Sequence, residues 1–233
     1  MGRSSGGLAV LWRKMTNIKC FPKIFTNRIM GLKIEIGPAR YLVINIYLIC
    51  DYRNVESLVE YKSILAELGN VLASEDFDNV IIAGDWNADP NKGRFFNEYI
   101  SFLRENSLFS SDTEMLPADS YSYISNNESA GTSWLDHILC SSPSIINNCA
   151  ILYGYTFEDH IPINCEIRSP ILPECTQLSE GDRSFVQSSF GEILDELVGR
   201  FTNFGEFLAM AVFATMWSIE TILKPHISLF FTV

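Results

Sequence analysis

A C-x-x-C pair, a long uninterrupted apolar run and an excess of basic charge are all missing from this sequence of 233 residues. Each absence excludes a class. The six cysteines (Cys20, Cys50, Cys140, Cys149, Cys165 and Cys175) stand singly, which argues against a disulfide framework or a zinc site and for reduced core thiols. The most apolar stretch, Phe207–Ile219, runs for thirteen residues before Glu220, Lys224 and Pro225 break the pattern. A membrane span takes about 20, so a membrane is not an expected partner. Lys and Arg number 17 against 28 Asp and Glu, a net charge of −11. A chain of that sign is not a general nucleic-acid binder, because phosphate contacts rest on Lys and Arg. A secretory leader is not expected either, since Arg13, Lys14 and Lys19 come after the short apolar run Leu8–Trp12 with no small-residue cleavage site. Gly6 stands where N-myristoylation wants Ser or Thr. The expected location is nuclear or cytoplasmic.

The remaining composition, 47% apolar and 12% aromatic, is that of a folded protein with a sizeable core. The length suits one large domain, or one domain with an appendage. The acidity is uneven. Residues 1–40 carry eight basic side chains (Arg3, Arg13, Lys14, Lys19, Lys23, Arg28, Lys33 and Arg40) against the single acid Glu35. This segment is either a local nucleic-acid surface that the global sum hides or the solvated faces of strands.

Short β-type runs fill the first two-thirds: Leu8–Trp12, Leu32–Ile36, Tyr41–Ile49, Asn79–Ala83, Leu135–Cys140, Ala150–Tyr153 and Pro162–Ile167. Two helices interrupt them. One is capped by Asn54 and aligns Leu58, Tyr61, Leu65, Leu68 and Leu72; the other runs from about Gly93 to Asn106 and aligns Phe96, Tyr99, Ile100 and Leu103. A fully apolar strand between two helices indicates an α/β fold with a sheet buried on both faces. The expected division is a domain over residues 1–167, a linker over 168–189 containing Pro170 and Pro173, and a helical, apolar tail over 190–233 that includes an amphipathic segment at Phe190–Phe204.

Three strings carry titratable groups at the edges of apolar strands. The first, Val80 to Pro90, ends a buried strand by sending Asp85, Asn87 and Asp89 into the next loop, where ligands bind in open α/β sheets. An EF-hand would use those three residues, but it fails at Pro90 and Phe96, where Gly and Glu are required. The second is Ser133-Trp134-Leu135-Asp136-His137-Ile138, in which Asp136 must be paired or desolvated at a cost. The third is Glu158-Asp159-His160-Ile161-Pro162. A Ser-His-Asp hydrolase is a poor competitor, because the sequence contains no Gly-x-Ser-x-Gly nucleophile elbow.

Together these strings resemble the exonuclease–endonuclease–phosphatase superfamily, and most closely the endonuclease domain of non-LTR retrotransposon proteins. The pattern appears in order as Asn45-Ile46-Tyr47, Gly84-Asp85-Trp86-Asn87, Ser133-Trp134-Leu135-Asp136 and Asp159-His160, preceded by a Gly-Gly strand at Gly6-Gly7-Leu8. The resemblance implies a two-sheet, four-layer α/β sandwich like that of deoxyribonuclease, and metal-dependent hydrolysis of DNA phosphodiesters. It assigns catalysis to Asp85, Asn87, Asp136, His160 and Tyr47, and phosphate binding to Asn45, Tyr47, Asn87 and His160. Asp136 would hold the tautomer of His160, Asp85 would be the acid–base carboxylate, and Asp159 would ligate Mg²⁺, with Mn²⁺ as a substitute. DNA is the implied partner, and no protein partner is defined.

The chain departs from that pattern at its start, where Gly6-Gly7 stands in place of the strands that carry the family's Asn and metal-ligand Glu. Glu35 lies after the Gly-Gly segment, in the wrong order to replace it. The resemblance therefore implies a domain incomplete at the N-terminus. The second expectation kept open is a catalytically dead retroelement-derived fragment that at most binds nucleic acid or a partner.

Overall fold

The computed structural model describes residues 18–125, 131–154, 159–168 and 227–231, together with Leu8 and Val10. The rest of the expected Leu8–Trp12 strand, the linker beyond Arg168, and the segments Phe190–Phe204 and Phe207–Ile219 lie outside the described residues, as do Glu158 and Cys175.

Three antiparallel strands come first: β1 (Ile18–Ile24), β2 (Ile29–Ile36) and β3 (Ala39–Tyr47). The first was not anticipated, because Pro22 interrupts its pattern. Pro is tolerated there since β1 is an edge strand of the sheet. Helix α1 (Val55–Ser74) crosses over to β4 (Asn79–Asp85), which pairs parallel with β3. Asn54 caps α1 as expected, its side chain accepting from Ser57 N at 2.8 Å. Helix α2 (Arg94–Glu105) is next, then β5 (Phe109–Ser110), the short α3 (Ser111–Met115), β6 (Tyr123–Ile124), β7 (Thr132–Ser133) and β8 (Asp136–Cys140). Last come β9 (Ile146–Ile151), β10 (Ile163–Ile167) and β11 (Ile227–Phe231).

Among the described residues, one sheet has the order β1-β2-β3-β4-β8-β5, a second has β11-β10-β9, and β6 pairs with β7. Strand alternation splits the side chains of the larger sheet into two cores. Leu42, Ile44, Ile46, Val80, Ile82 and Leu139 face Tyr61, Leu65, Leu68, Phe95 and Tyr99 of the helices. Val43, Ile81, Ala83, Ile138 and Cys140 face Cys149, Ile151, Ile163 and Cys165 of the second sheet. The described layers are thus helices, sheet and sheet, in agreement with the expected α/β sandwich. Each fully buried Ile or Leu contributes about 1.5–3 kcal/mol relative to exposure. In α2 the deepest contacts are made by Phe95, Tyr99, Phe102 and Leu103, so the buried stripe is rotated towards Phe95 and Phe102 from the expected Phe96 and Ile100.

The uneven charge is resolved within the fold. Lys23 and Lys33 meet Glu75 at 2.6 and 2.9 Å, Arg40 meets Asp76 and Asp78, Lys19 lies 3.5 Å from Glu35, and Arg28 lies 3.9 Å from Glu60. The basic side chains of the described part of residues 1–40 therefore meet acids of β2, α1 and the turn after it.

The tail rejoins the domain. Ile227–Phe231 pairs antiparallel with β10, Ile163 opposite Phe231. This stretch is a strand where a helical tail was expected, because Pro225 stops a helix and the β-branched and aromatic residues after it favour extended backbone. It covers an edge of β10 that would otherwise present unpaired backbone groups. A chain ended before Ile227 is expected to lose on the order of 5 °C in Tm and to aggregate more readily on heating. An unchanged melting curve would show that this strand contributes nothing.

Candidate active site

The register of the larger sheet builds the site. Tyr47 of β3 pairs with Asp85 of β4, and Asp85 pairs with Asp136 of β8, so three polar side chains lie in one row across three adjacent strands. Their alternation places them on the face shared with Val43, Ile81 and Ile138, at the end where the apolar core gives way. Asn45, two residues before Tyr47, lies on the same face and is buried. His160 completes the row. Its Nδ1–H donates to Asp136 Oδ2 at 2.9 Å, which fixes Nε2 as the nitrogen offered to a ligand. Tyr123 bridges to His160 by backbone, and its ring meets the imidazole edge-on at 5.1 Å. Ser122 Oγ accepts from both Leu135 N and Asp136 N at 3.0 Å, holding the start of β8.

The loop after β4 is tied at every step. Trp86 N donates to Leu135 O at 2.9 Å, and Tyr61 OH donates to Trp86 O at 2.9 Å. Asn87 has φ +48, a left-handed conformation that Asn tolerates better than most residues. Its backbone N–H and Nδ2 donate to the two oxygens of Asp85 at 2.8 and 2.9 Å, and Nδ2 also donates to Leu48 O at 2.9 Å. Both side-chain amide hydrogens of Asn87 are thus turned inward, one supporting Asp85 and the other held by Leu48 O.

Electrostatics stem from this crowding. Burial pushes the Asp85 carboxyl up to about 7, and the neighbouring Asp136 charge adds to the effect against the pull of His160 and the Asn87 N–H. Burial alone would lower His160, but the charge and hydrogen bond of Asp136, with Asp85 and Asp159 behind them, raise it to about 9. His160 is therefore an imidazolium at neutral pH, and Asp85 sits where a small change of environment moves its proton. Burial and the Asp85 charge raise the Tyr47 phenol, which stays a hydrogen-bond donor. The Arg28 guanidinium lies over the Tyr47 ring at 5.4 Å and donates to Tyr47 O at 3.1 Å, a cation at one end of the row.

A row of this kind, a carboxylate that titrates near neutrality beside a carboxylate-bound imidazolium, suits proton transfer and the holding of an anion. The model of the endonuclease/exonuclease/phosphatase family matches residues 1–160. The chain belongs to that family. Its members are hydrolases that act on phosphoester bonds and generally use divalent metals. The fold agrees with that of the endonuclease domain of TRAS1, a telomere-specific non-LTR retrotransposon, at a TM-score of 0.53 and 16% identity, covering 65% of this chain and 70% of that one. An endonuclease/exonuclease/phosphatase family protein from Leptotrichia buccalis C-1013-b gives a TM-score of 0.49 at 16% identity, over 67% of this chain and 62% of its own. A variant of the 3′ phosphatase NExo from Neisseria, bound to a product DNA hairpin, gives 0.47 at 14%, over 66% of this chain and 71% of its own. No curated protein sequence matches the chain.

Of the residues the sequence singled out, the fold brings together Asn45, Tyr47, Asp85, Asn87, Asp136 and His160. Asp159 stands beside His160, its backbone O accepting from Ile124 N at 2.7 Å. Among the described residues no group of three His, Cys, Asp or Glu side chains converges as a metal centre. Mg²⁺ itself keeps most of its water and takes one or two carboxylates plus substrate phosphates. The negative charge gathered at Asp85, whose carboxyl is raised by burial and by the neighbouring Asp136 that His160 already holds, fits an ion of that kind at Asp85.

Sequence reasoning missed Asp112, Ser122, Tyr61 and the part played by His137. Strand alternation sends His137 to the face opposite Asp136. There its Nδ1 meets Asp112 Oδ2 and its Nε2 meets Ala88 O, each at 2.7 Å. The one available signal was the second His-Asp combination, since Asp112 lies remote in sequence in what reads as a helix start.

Proposed function

We propose that the chain hydrolyses phosphodiester bonds of DNA at the row formed by Tyr47, Asp85, Asp136 and His160. The observation that carries this reading is the pairing of Tyr47 with Asp85 and Asp85 with Asp136, with His160 bound to Asp136. The fold shared with the TRAS1 endonuclease domain supports DNA as the substrate.

The residues divide the work. His160, held by Asp136, donates Nε2–H to a non-bridging phosphoryl oxygen and balances the charge that develops there. The Tyr47 phenol donates to a second oxygen, and Asn45 supports that wall. Asp85, in its deprotonated form, takes a proton from the water that attacks phosphorus, while the bond to the leaving deoxyribose oxygen breaks and that oxygen takes up a proton from solvent. Asn87 keeps the Asp85 carboxylate oriented. A divalent cation held by Asp85, with Asp159 as the second carboxylate, would neutralise phosphate charge beside these acids.

The test is nicking of supercoiled plasmid by the full chain. Nicking is expected with Mg²⁺ or Mn²⁺, loss of it in EDTA, and a fall of about 10²-fold or more in folded His160→Ala. Equal rates in wild type and His160→Ala would remove the assignment. A folded wild type that binds DNA but never nicks it, with either metal, would leave the binding-only reading.

A further inference from the structure

On the reverse face of the sheet, behind the row of Tyr47, Asp85, Asp136 and His160, is a second histidine–carboxylate pair that the proposed chemistry does not use. His137 is fully buried, and each ring nitrogen faces an acceptor at 2.7 Å: Asp112 Oδ2 at Nδ1 and the Ala88 carbonyl at Nε2. A carbonyl oxygen accepts only, so Nε2 carries a hydrogen. The other oxygen of Asp112 receives Ile138 N at 2.9 Å and Ser110 Oγ at 3.1 Å, and Ser110 in turn receives Tyr99 OH at 2.7 Å. Every donor in this chain points towards Asp112, the arrangement of a carboxylate. The hydrogen between Asp112 and Nδ1 then belongs to the ring.

The pair lies at a junction. Asp112 comes from α3, Tyr99 from α2, His137 from β8, and Ala88 is the residue directly after Asn87. Tyr99 packs against the imidazole with ring centroids 4.8 Å apart. The charged or titratable groups around His137 are therefore Asp112 and Tyr99 on this face, with Asp136 and Asp85 across the sheet. Tyr61 OH holds the carbonyl of Trp86, so the carbonyls of the residues before and after Asn87 are each anchored by a buried side chain. The left-handed turn that aims the Asn87 amide at Asp85 is thus fixed from behind as well as by the hydrogen bonds of Asn87 itself.

We infer that His137, as an imidazolium with Asp112 as its buried counter-ion, is a positioning residue that locks the Ala88 carbonyl and so sets the Asn87 turn beneath Asp85. The inference rests on the reading of Asp85 and Asn87 as parts of the hydrolytic site, but its structural half stands apart from turnover. His137 touches no reacting atom. Its effect reaches the reaction through the backbone of the loop, where a displacement of about 1 Å costs on the order of 10²-fold in rate.

Two measurements on the full chain test this. Nitrogen-15 NMR of the histidine rings at neutral pH is expected to show both nitrogens of His137 protonated; a single protonated nitrogen would overturn the charged pair. Hydrogen exchange of the Asn87 side-chain amide is expected to be slow in wild type and at least about tenfold faster in His137→Gln, which cannot hold both partners. Unchanged exchange would overturn the positioning role, whether or not the protein nicks DNA. In the nicking assay, folded His137→Gln is expected to lose about 10²-fold in kcat with KM within about threefold. The double variant Asp112→Leu/His137→Leu removes both charges together and so avoids leaving one buried alone. It is expected to show the same loss of kcat and the same fast exchange, whereas full kcat in either folded variant would reduce the pair to a packing feature.

Discussion

Asp85→Asn is expected to lower the rate of phosphodiester cleavage by about 10²–10⁴-fold, the range for removal of a positioned acid–base group. The same substitution should remove much of the pH dependence of stability at the acid end. Both effects have one source. Asp85 is buried beside Asp136, and its carboxyl is pushed up to about 7. In the cleavage assay, a base with that value gives a kcat/KM that rises with pH through about 7, and Asp85→Asn should erase the rise along with the rate. For stability the sign runs the other way. Between its ordinary value and 7 the folded protein holds a proton that the unfolded chain has released, so this group's contribution is fully present below the ordinary carboxylate range and is lost as pH rises through the folded value. A shift of that size corresponds to on the order of 4 kcal/mol. His160 acts in the same direction over a higher window: raised to about 9, it contributes below the ordinary imidazole value and its contribution is lost as pH climbs through 9. Melting curves recorded in EDTA are therefore expected to fall from about pH 4 to 9 in wild type, to flatten below 7 in Asp85→Asn, and to flatten above 7 in His160→Asn. If Asp85→Asn melts with the wild-type slope, the carboxyl is not held near 7 and cannot be the poised base.

The row was legible because its members are the polar interruptions of otherwise apolar strands. Asn45, Tyr47, Asp85 and Asp136 each break a run of Ile, Val and Leu, and strand pairing then needed only to bring three neighbours into register. The Asn54 cap was legible for a similar reason, since one side chain satisfies one local donor. Features that depend on another part of the chain were not. Strand β1 contains Pro22 with Lys19 and Lys23, and only its edge position makes that sequence acceptable as a strand. The stripe of α2 could be drawn through Phe96 or through Phe95, because aromatic residues occupy both positions and the packing of Phe95 on Tyr61, ring centroids 4.0 Å apart, decides between them. The basic excess of residues 1–40 read equally as a nucleic-acid surface or as solvated strands, and it was Glu75, Asp76 and Asp78, far along the chain, that showed where Lys23, Lys33 and Arg40 go. His137 stood next to Asp136 in plain view, but its partner Asp112 lies 25 positions away and meets it only after β8 has turned its alternate side chains to opposite faces.

The largest loss of stability is expected from the smallest side-chain change, Gly84→Ala. Gly84 lies opposite Ile46 in the parallel pair of β3 and β4, with φ +135, and a Cβ built there would lie 2.0 Å from Ile46 O and 2.9 Å from both Ile46 N and Asn45 Oδ1. Two of those atoms are backbone of a central strand and cannot swing aside. The methyl group must force β3 away from β4, and the first pairing beyond the clash is Tyr47 with Asp85. Conformational strain of about 1–3 kcal/mol adds to the steric term, and together they place the expected loss at about 4–5 kcal/mol or more, enough to unfold a domain of ordinary stability. Gly93→Ala separates the two contributions. Gly93 also has a left-handed φ, +98, but a Cβ there would meet nothing within 4 Å, so only the conformational part applies. Urea unfolding of the two variants should therefore show Gly93→Ala losing about 1–2 kcal/mol and Gly84→Ala several times more, with activity lost even in whatever fraction remains folded. Equal losses would mean that the backbone angle alone requires glycine in Gly84-Asp85-Trp86-Asn87. The larger loss would instead identify the close approach of β3, the strand that carries Asn45 and Tyr47, as the reason glycine must stand directly before the acid.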